Sequence, residues 1–506
     1  MIDVNQRKIG AIIAYVSIFV SAGISLVYTP YMLRVLGESE HGLFALVNSV
    51  VAYFTLMDFG FGNAIIRFSA KYIEKKDKAK EGKLLGMFFL IYAILGFIVL
   101  ILGFVLSANI GIIFNRNFTE GELRLTKVLM QIATVNIALS FIFRIFNASI
   151  QAHQKFIFSK IAQLVKHILN PLLMVIILIN GYRSIGMMIG FLVLNIVFLI
   201  VEAIYFFTRI KVRIRFAINF KVLKEISVYS FFIFLDLIVD RINWSTDQLL
   251  LGIIKGPANV SRYAIASNIN TNYRLIASAI SGVFLAEITG MVERGESTKL
   301  LSDRFIKVGR IQWIVLSLVL SGFIIYGRPF VRMWAGANYE ESYYIAIILI
   351  APVTIPLIQT IALTILRAKN LHKFRSLLYL GVSIINIIIS IPLIKLYGGI
   401  GAALGTGIAL LIANGIIMNI YYKKKLKLDI KAFWKNIILM SLGLIIPMIL
   451  GLFIKEVIII TGWWRLLINI AIYFVIFSAS YWIISFNEYE KNTVIGPIKK
   501  VFSRGK

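Results

Sequence analysis

Apolar runs of about twenty residues recur along the whole of this sequence, separated by short connections, many of them rich in lysine and arginine. A run of that length crosses the ~30 Å hydrocarbon core of a bilayer as an α-helix. Lipid offers the backbone no hydrogen-bond partner, so a chain of such runs is confined to a bundle of helices. Composition agrees: 59% of the 506 residues are hydrophobic, only 15% are charged, and mean hydropathy is +0.86. Soluble domains lie nearer 45–50% apolar and roughly 25% charged. The longest polar stretches, 67–83 and 209–224, are too short to fold as soluble domains. The runs predict an all-α, polytopic membrane protein of about fourteen transmembrane helices. They fall near 9–33, 42–66, 84–106, 125–150, 158–180, 185–208, 226–251, 260–288, 308–327, 342–366, 374–395, 399–422, 435–455 and 463–486. The first is too long for a signal-peptide core and lacks a small-residue cleavage pattern, so it reads as a retained helix.

A net charge of +29 and a pI near 10 would suggest nucleic acid in a soluble protein. Here position decides otherwise. Basic connections start with Arg7 and Lys8 and return at 71–83, Lys155/Lys160, 209–224, 294–310, 367–375, 423–435 and 491–506, holding most of the 53 lysines and arginines. The alternate connections, including 34–41, 180–184, 254–259 and 395–398, hold few. This asymmetry predicts both termini and the basic loops in the cytoplasm and requires no nucleic acid. With no cysteine, disulfides and thiolate chemistry are excluded. The histidines (His41, His153, His167 and His372) are too scattered for a metal motif. There is no phosphate-binding loop, no D-x-D pair and no long external loop to house glycosyl transfer or polymerisation. The expectation is a transporter without cofactor or metal, and not an enzyme.

The chain repeats internally. Residues 35–49, VLGESEHGLFALVNS, match 254–268, IKGPANVSRYAIASN, aligning Gly37 with Gly256, Phe44 with Tyr263 and Ala45 with Ala264 at an offset of 219. The pattern Tyr182-x-x-Ile185-Gly186-x-x-Ile189-Gly190 returns as Tyr397-x-x-Ile400-Gly401-x-x-Leu404-Gly405 at an offset of 215. Two nearly equal offsets, six helices apart, imply a parallel repeat of two six-helix halves. The predicted domains are therefore an N-lobe over 1–225, a C-lobe over 226–425, and two extra helices with a cytoplasmic tail over 426–506.

Within the apolar runs, polar residues fall at helical spacing. Helix 4 carries Asn136, Ser140, Arg144, Asn147 and Gln151; helix 8 carries Ser267, Thr271, Arg274, Ser278 and Ser281; helix 7 carries Asp236, Asp240, Asn243 and Asp247. Each set occupies one helix face. A charge at the bilayer centre costs roughly 2.5–3.5 kcal/mol even on lenient scales, so these faces should avoid lipid. Arg144 and Arg274, with Lys166 near the end of helix 5, suit a cavity for an anionic, polyhydroxylated ligand. The alternative is that the arginines only pair with the helix 7 aspartates. Those aspartates are in turn candidates for ion coupling or plain charge neutralisation, and Asp247, near its helix end, for a solvated terminus. His167 fits a local hydrogen bond, and Glu202 a snorkelling side chain. Pro171, Pro352, Pro356 and Pro392 should kink their helices.

The stretch TPYMLRVLGESEHGLFALVNSVVAYFTLMDFGFGNAIIRFSA (29–70) resembles the opening of bacterial polysaccharide (O-antigen type) flippases of the MATE-like MOP exporter superfamily. STDQLLLGIIKGPANVSRYAIASNI (245–269) resembles the start of their second lobe, and YGGIGAALGTGIA (397–409) is similar to their twelfth helix. His41 stands where an aromatic is commoner, and Ser261 replaces a frequent glycine. The resemblance implies an alternating-access carrier of two six-helix lobes. Its substrate would be an oligosaccharide linked through pyrophosphate to a polyprenyl lipid, with a polysaccharide polymerase or other assembly proteins as partners. By position, Arg144 and Arg274 fit the basic lumen of such flippases. A lipid II flippase, or a drug/cation antiporter of the same fold, remains the alternative; the antiporter would favour acidic and aromatic cavity residues.

Overall fold

The computed structural model describes residues 4–114, 117–369, 371, 373–458 and 460–492. His372 and most of the basic tail lie outside these residues, as do the side chains of Arg7, Lys8 and Asp236. The described residues form helices and no strand. In chain order these are α1 (Val4–Phe54), α2 (Phe61–Glu74), α3 (Lys78–Ala108), α4 (Ile110–Phe114), α5 (Glu120–Ala152), α6 (Phe156–Ile179), α7 (Arg183–Tyr205), α8 (Phe220–Lys255) and α9 (Pro257–Glu293). They continue as α10 (Thr298–Trp334), α11 (Glu341–Ile358), α12 (Thr360–Ala368), α13 (Lys373–Leu410), α14 (Met418–Tyr421), α15 (Ile430–Ser441), α16 (Ile445–Val457) and α17 (Trp463–Ser480).

Among the described residues, eleven helical stretches are long and apolar enough to cross a membrane. Two of them, Val20–Glu74 and Lys373–Leu426, run to 55 and 54 residues, more than twice the ~20 residues that one crossing needs. Helix α8 falls outside the eleven; its sequence holds Asp236, Asp240, Arg241 and Asp247.

Several boundaries differ from the sequence reading. The expected helix 42–66 is interrupted: a 3-10 turn over Thr55–Asp58 is followed by Phe59 and Gly60, both left-handed at φ 50° and 77°. The stretch after residue 66, expected as a loop, stays helical to Glu74. Helix α10 begins at Thr298, ten residues before the expected start at 308, with Ser297 accepting from the Leu300 amide as its N-cap. Pro352 and Pro356 lie inside α11, and the break at Gln359 follows them.

The backbone carries the internal repeat. Gly37 and Gly256 share one conformation, φ 76°/ψ 176° and φ 84°/ψ 179°, a region that glycine alone enters freely. At the second offset Arg183 (φ 48°) matches Gly398 (φ 56°). One residue further in offset, π-helical turns over Phe206–Ile210 and Tyr422–Leu426 end in left-handed Lys211 and Lys427.

Packing divides the chain into two compact units. Unit one holds the residues to Ala264 together with Tyr379–Ala402; unit two holds Ile265–Leu378 and the residues from Ala403 on. In unit one, α5 packs against α1, α2, α3 and α7, around a core that includes Phe88, Tyr92, Phe141, Ile145 and Phe206. In unit two, α10 packs against α11, α15, α16 and α17, and Tyr326, Met440, Tyr473 and Tyr481 are among its buried core.

The two ends of unit one differ. At the basic end the Arg215 amide donates to the Gly82 carbonyl at 3.0 Å and Glu81 faces His153 at 3.6 Å. At the opposite end Glu38 binds Arg262 (3.1 Å) and Glu40 binds Arg183 (2.6 Å), while Ser39 donates to Glu122. His41 and Ser261, the two departures from the family pattern, are buried partners, with Nδ1 and Oγ 2.7 Å apart.

Candidate functional site

The helix break at residues 55–60 creates the centre of the site. It delivers Asp58, whose side chain is 5% exposed, to Arg144 on α5. The Arg144 Nε lies 3.0 Å from Asp58 Oδ1, Nη2 donates to Oδ2 at 3.3 Å, and the Tyr92 hydroxyl donates to Oδ1 at 2.5 Å. Gly62 makes room for this approach: a Cβ there would stand 2.9 Å from Arg144 Nε. The guanidinium is thus fixed along one edge. Its remaining nitrogen, Nη1, has no partner among the described residues, and half of the side chain (50%) is exposed. Among the described residues its carboxylate partner is Asp58.

The rest of the α5 stripe turns to α7. Each step of four residues advances about 40° around a helix of 3.6 residues per turn. Arg144 therefore lies at the edge of the stripe, while Asn136, Ser140, Asn147 and Gln151 face α7. Asn195 on α7 donates to Asn136 Oδ1 at 2.7 Å and to Ser140 Oγ at 2.8 Å. Its own carbonyl accepts from Lys166 Nζ of α6 at 2.8 Å. Two turns along α7, Glu202 accepts from Asn147 (2.7 Å), whose carbonyl accepts from Gln151 (2.6 Å). Between these helices lies a cavity of about 450 Å³, lined in part by Asn147, Gln151, Lys166, Asn195, Phe198 and Glu202. Amide, ammonium and carboxylate groups alternate there with an aromatic face, the mixture that holds polar ligands.

The remaining candidates stand elsewhere. Arg274 is half-buried on the unit-two part of α9. Thr271 and Ser278 are exposed, and their hydroxyls donate to their own helix, at the Ser267 and Arg274 carbonyls (2.8 and 3.0 Å). On α8, Asp240 is exposed, whereas Asp247 is buried and accepts from the Tyr263 hydroxyl, so it is not a solvated helix end. Among the described residues no group of three or more His, Asp or Glu could hold a metal ion.

The sequence reading missed Asp58, Tyr92 and Asn195. It also counted Arg310 among the basic connections, at the edge of the helix expected over 308–327. Arg310 in fact lies inside α10, 8% exposed, and every guanidinium nitrogen is engaged. Glu490 accepts from Nε (2.5 Å) and Nη2 (2.7 Å), the Ser485 carbonyl from Nη2 (3.0 Å) and Asn436 Oδ1 from Nη1 (3.2 Å).

This arrangement of kinked spanning helices is shared with solved transporters. A lipid II flippase, MurJ, in an inward closed conformation aligns with a TM-score of 0.72 at 20% identity, covering 93% of this chain and 97% of that one. An inward-facing multidrug resistance MATE family transporter of the MOP superfamily aligns at 0.65 and 14% identity, covering 83% and 99%. A MOP superfamily transporter from Pyrococcus furiosus, described as having a binding pocket of reversed polarity, aligns at 0.57 and 14% identity, covering 82% and 96%. The fold is therefore that of the MurJ and MATE transporters, a multi-pass membrane protein. No curated protein matches the chain. The model of the polysaccharide biosynthesis protein family matches residues 8–285, more than half of the sequence, and the chain belongs to that family.

Proposed function

We propose that this protein is a flippase that moves a polyprenyl-pyrophosphate-linked oligosaccharide from the cytoplasmic to the external leaflet by alternating access. The basic loops and both termini would face the cytoplasm. The observation that carries this reading is Arg144, a guanidinium held on one edge by Asp58 and open on the other. A planar fork fixed in this way suits the oxygens of a pyrophosphate. The amides lining the neighbouring cavity suit sugar hydroxyls. Membership of a polysaccharide biosynthesis family supports the same substrate class. Arg274, Thr271 and Ser278 are proposed as its contacts in the second half of the chain. The 93% coverage by the MurJ fold favours a second reading, a peptidoglycan precursor of the lipid II type.

Export of an anion runs with a membrane potential that is negative inside. One charge crossing 100 mV is worth about 2.3 kcal/mol, so a doubly charged pyrophosphate gains about 4.6 kcal/mol. An ion-coupling role for Asp236, Asp240 or Asp247 would add to a step that is already favourable. The test is reconstitution in liposomes with a fluorescent lipid-linked oligosaccharide, a lipid II analogue and a cationic drug offered separately. The oligosaccharide should cross at least tenfold faster than the others, and Arg144→Gln should abolish most of that advantage. Faster crossing of lipid II would establish the second reading, and transport of the drug alone would overturn both.

A further inference from the structure

Unit two has an open groove of about 640 Å³ where the π-helical turn after α14 meets the start of α15. Lys423, Lys431 and Lys435 line it together with Trp434, Ile438 and Leu439. None of the three ammonium groups has an ion-pair partner among the described residues. Elsewhere several basic side chains do, such as Lys80 with Asp77, Arg294 with Glu296 and Arg304 with Glu287. Asp429, the nearest carboxylate in sequence, is occupied as the N-cap of α15, accepting from the Ala432 amide at 2.9 Å.

The groove is built, not draped. Phe433 stacks on Phe305 of α10 at 4.2 Å between centroids, anchoring the α15 wall. The Trp434 indole donates to Asn419 Oδ1 at 3.0 Å, which fixes its ring. Depth identifies the occupant. Helix α15 opens the apolar span Ile430–Val457, so Lys431 stands at its mouth. At 1.5 Å per residue, Ile438 and Leu439 lie about 10–12 Å further in. Both are exposed, at 62% and 52%. A soluble anion would reach the lysines and leave that apolar floor uncovered. An acidic peptide could not follow it into hydrocarbon.

We infer that this groove is a binding site for an anionic phospholipid, with its phosphate on Lys423, Lys431 and Lys435 and an acyl chain along Trp434, Ile438 and Leu439. Tryptophan belongs at the interface, and lysine stems lie along apolar surface while their heads reach phosphate. This inference is independent of the substrate proposed above.

Native mass spectrometry of the full chain in detergent tests it, with phosphatidylglycerol, phosphatidylcholine or inorganic phosphate added at equal concentration. Phosphatidylglycerol should be retained in preference to the other two. Each lysine near a lipid surface is worth about fivefold in affinity, so Lys423→Gln/Lys431→Gln/Lys435→Gln should weaken retention about a hundredfold. Ile438→Asn/Leu439→Asn should weaken phosphatidylglycerol retention while leaving any weak phosphate adducts unchanged. Equal retention of phosphatidylcholine, equal retention of inorganic phosphate, or no effect of the triple variant would each overturn the assignment.

Discussion

Helices α5 and α10 are the central helices of their respective units, and each carries an arginine facing a buried carboxylate. Arg310 is sealed in, with Glu490 on two nitrogens, Asn436 on the third and a backbone carbonyl besides. Arg144 meets Asp58 along one edge, keeps Nη1 unengaged among the described residues and is half exposed. The chemistry of the two pairs is the same, yet their capacity for a ligand is not. A saturated guanidinium in a dry site fixes structure, because any new partner must first displace an old one. A half-saturated one is already oriented and needs only the incoming anion.

Breaking the saturated pair should have the largest effect. Glu490→Gln leaves Arg310 buried without a counter-charge, a loss of about 3–5 kcal/mol for such pairs. The variant should express poorly and melt well below the parent in detergent. Replacing both partners, Arg310→Met with Glu490→Leu, should recover much of that loss. A Glu490→Gln protein with an unchanged melting curve would remove the distinction between the two arginines.

The open pair should respond differently. Arg144→Gln leaves Asp58 with Tyr92 as its one partner among the described residues, which costs about 1–3 kcal/mol. Asp58→Asn with Arg144→Gln should restore the melting temperature while flipping stays lost, since no guanidinium remains for the pyrophosphate. Transport restored along with stability would make Arg144 a structural residue like Arg310. The smallest effect belongs to Tyr92→Phe. It deletes one hydrogen bond to Asp58, about 0.5–1.5 kcal/mol, and should leave the flipping rate within about twofold, measured in the same liposomes. A large transport defect there would place Tyr92 at the substrate.

Local periodicity made part of this readable. The stripe from Asn136 to Gln151 and the glycines at 37 and 256 follow from helix geometry and from a repeat that the backbone preserves. The pairings were not readable, because Asp58 and Arg144 lie 86 residues apart and Arg310 and Glu490 lie 180 apart. No local rule links such positions. Charge bias also counted Arg310 with the loop cations, since a buried arginine at the edge of an apolar run reads like one more of them. Thr271 and Ser278 show a further limit. Spacing shows that two hydroxyls share a face, but not that each will bond its own backbone. Conversely, His41 and Ser261 were noticed separately as departures, and only the fold makes them partners.

The Arg310–Glu490 pair has a consequence for how this protein is made. Arg310 leaves the ribosome 180 residues before Glu490, roughly 10–40 s at ordinary elongation rates. Throughout that interval α10 holds its arginine without the glutamate that later neutralises it. The apolar half of α10 beyond Arg310 has to hold the helix in place meanwhile. Nascent chains stalled before Glu490 should therefore expose a lone cation to the membrane quality-control proteases, and arrival of the glutamate would be the event that ends that exposure.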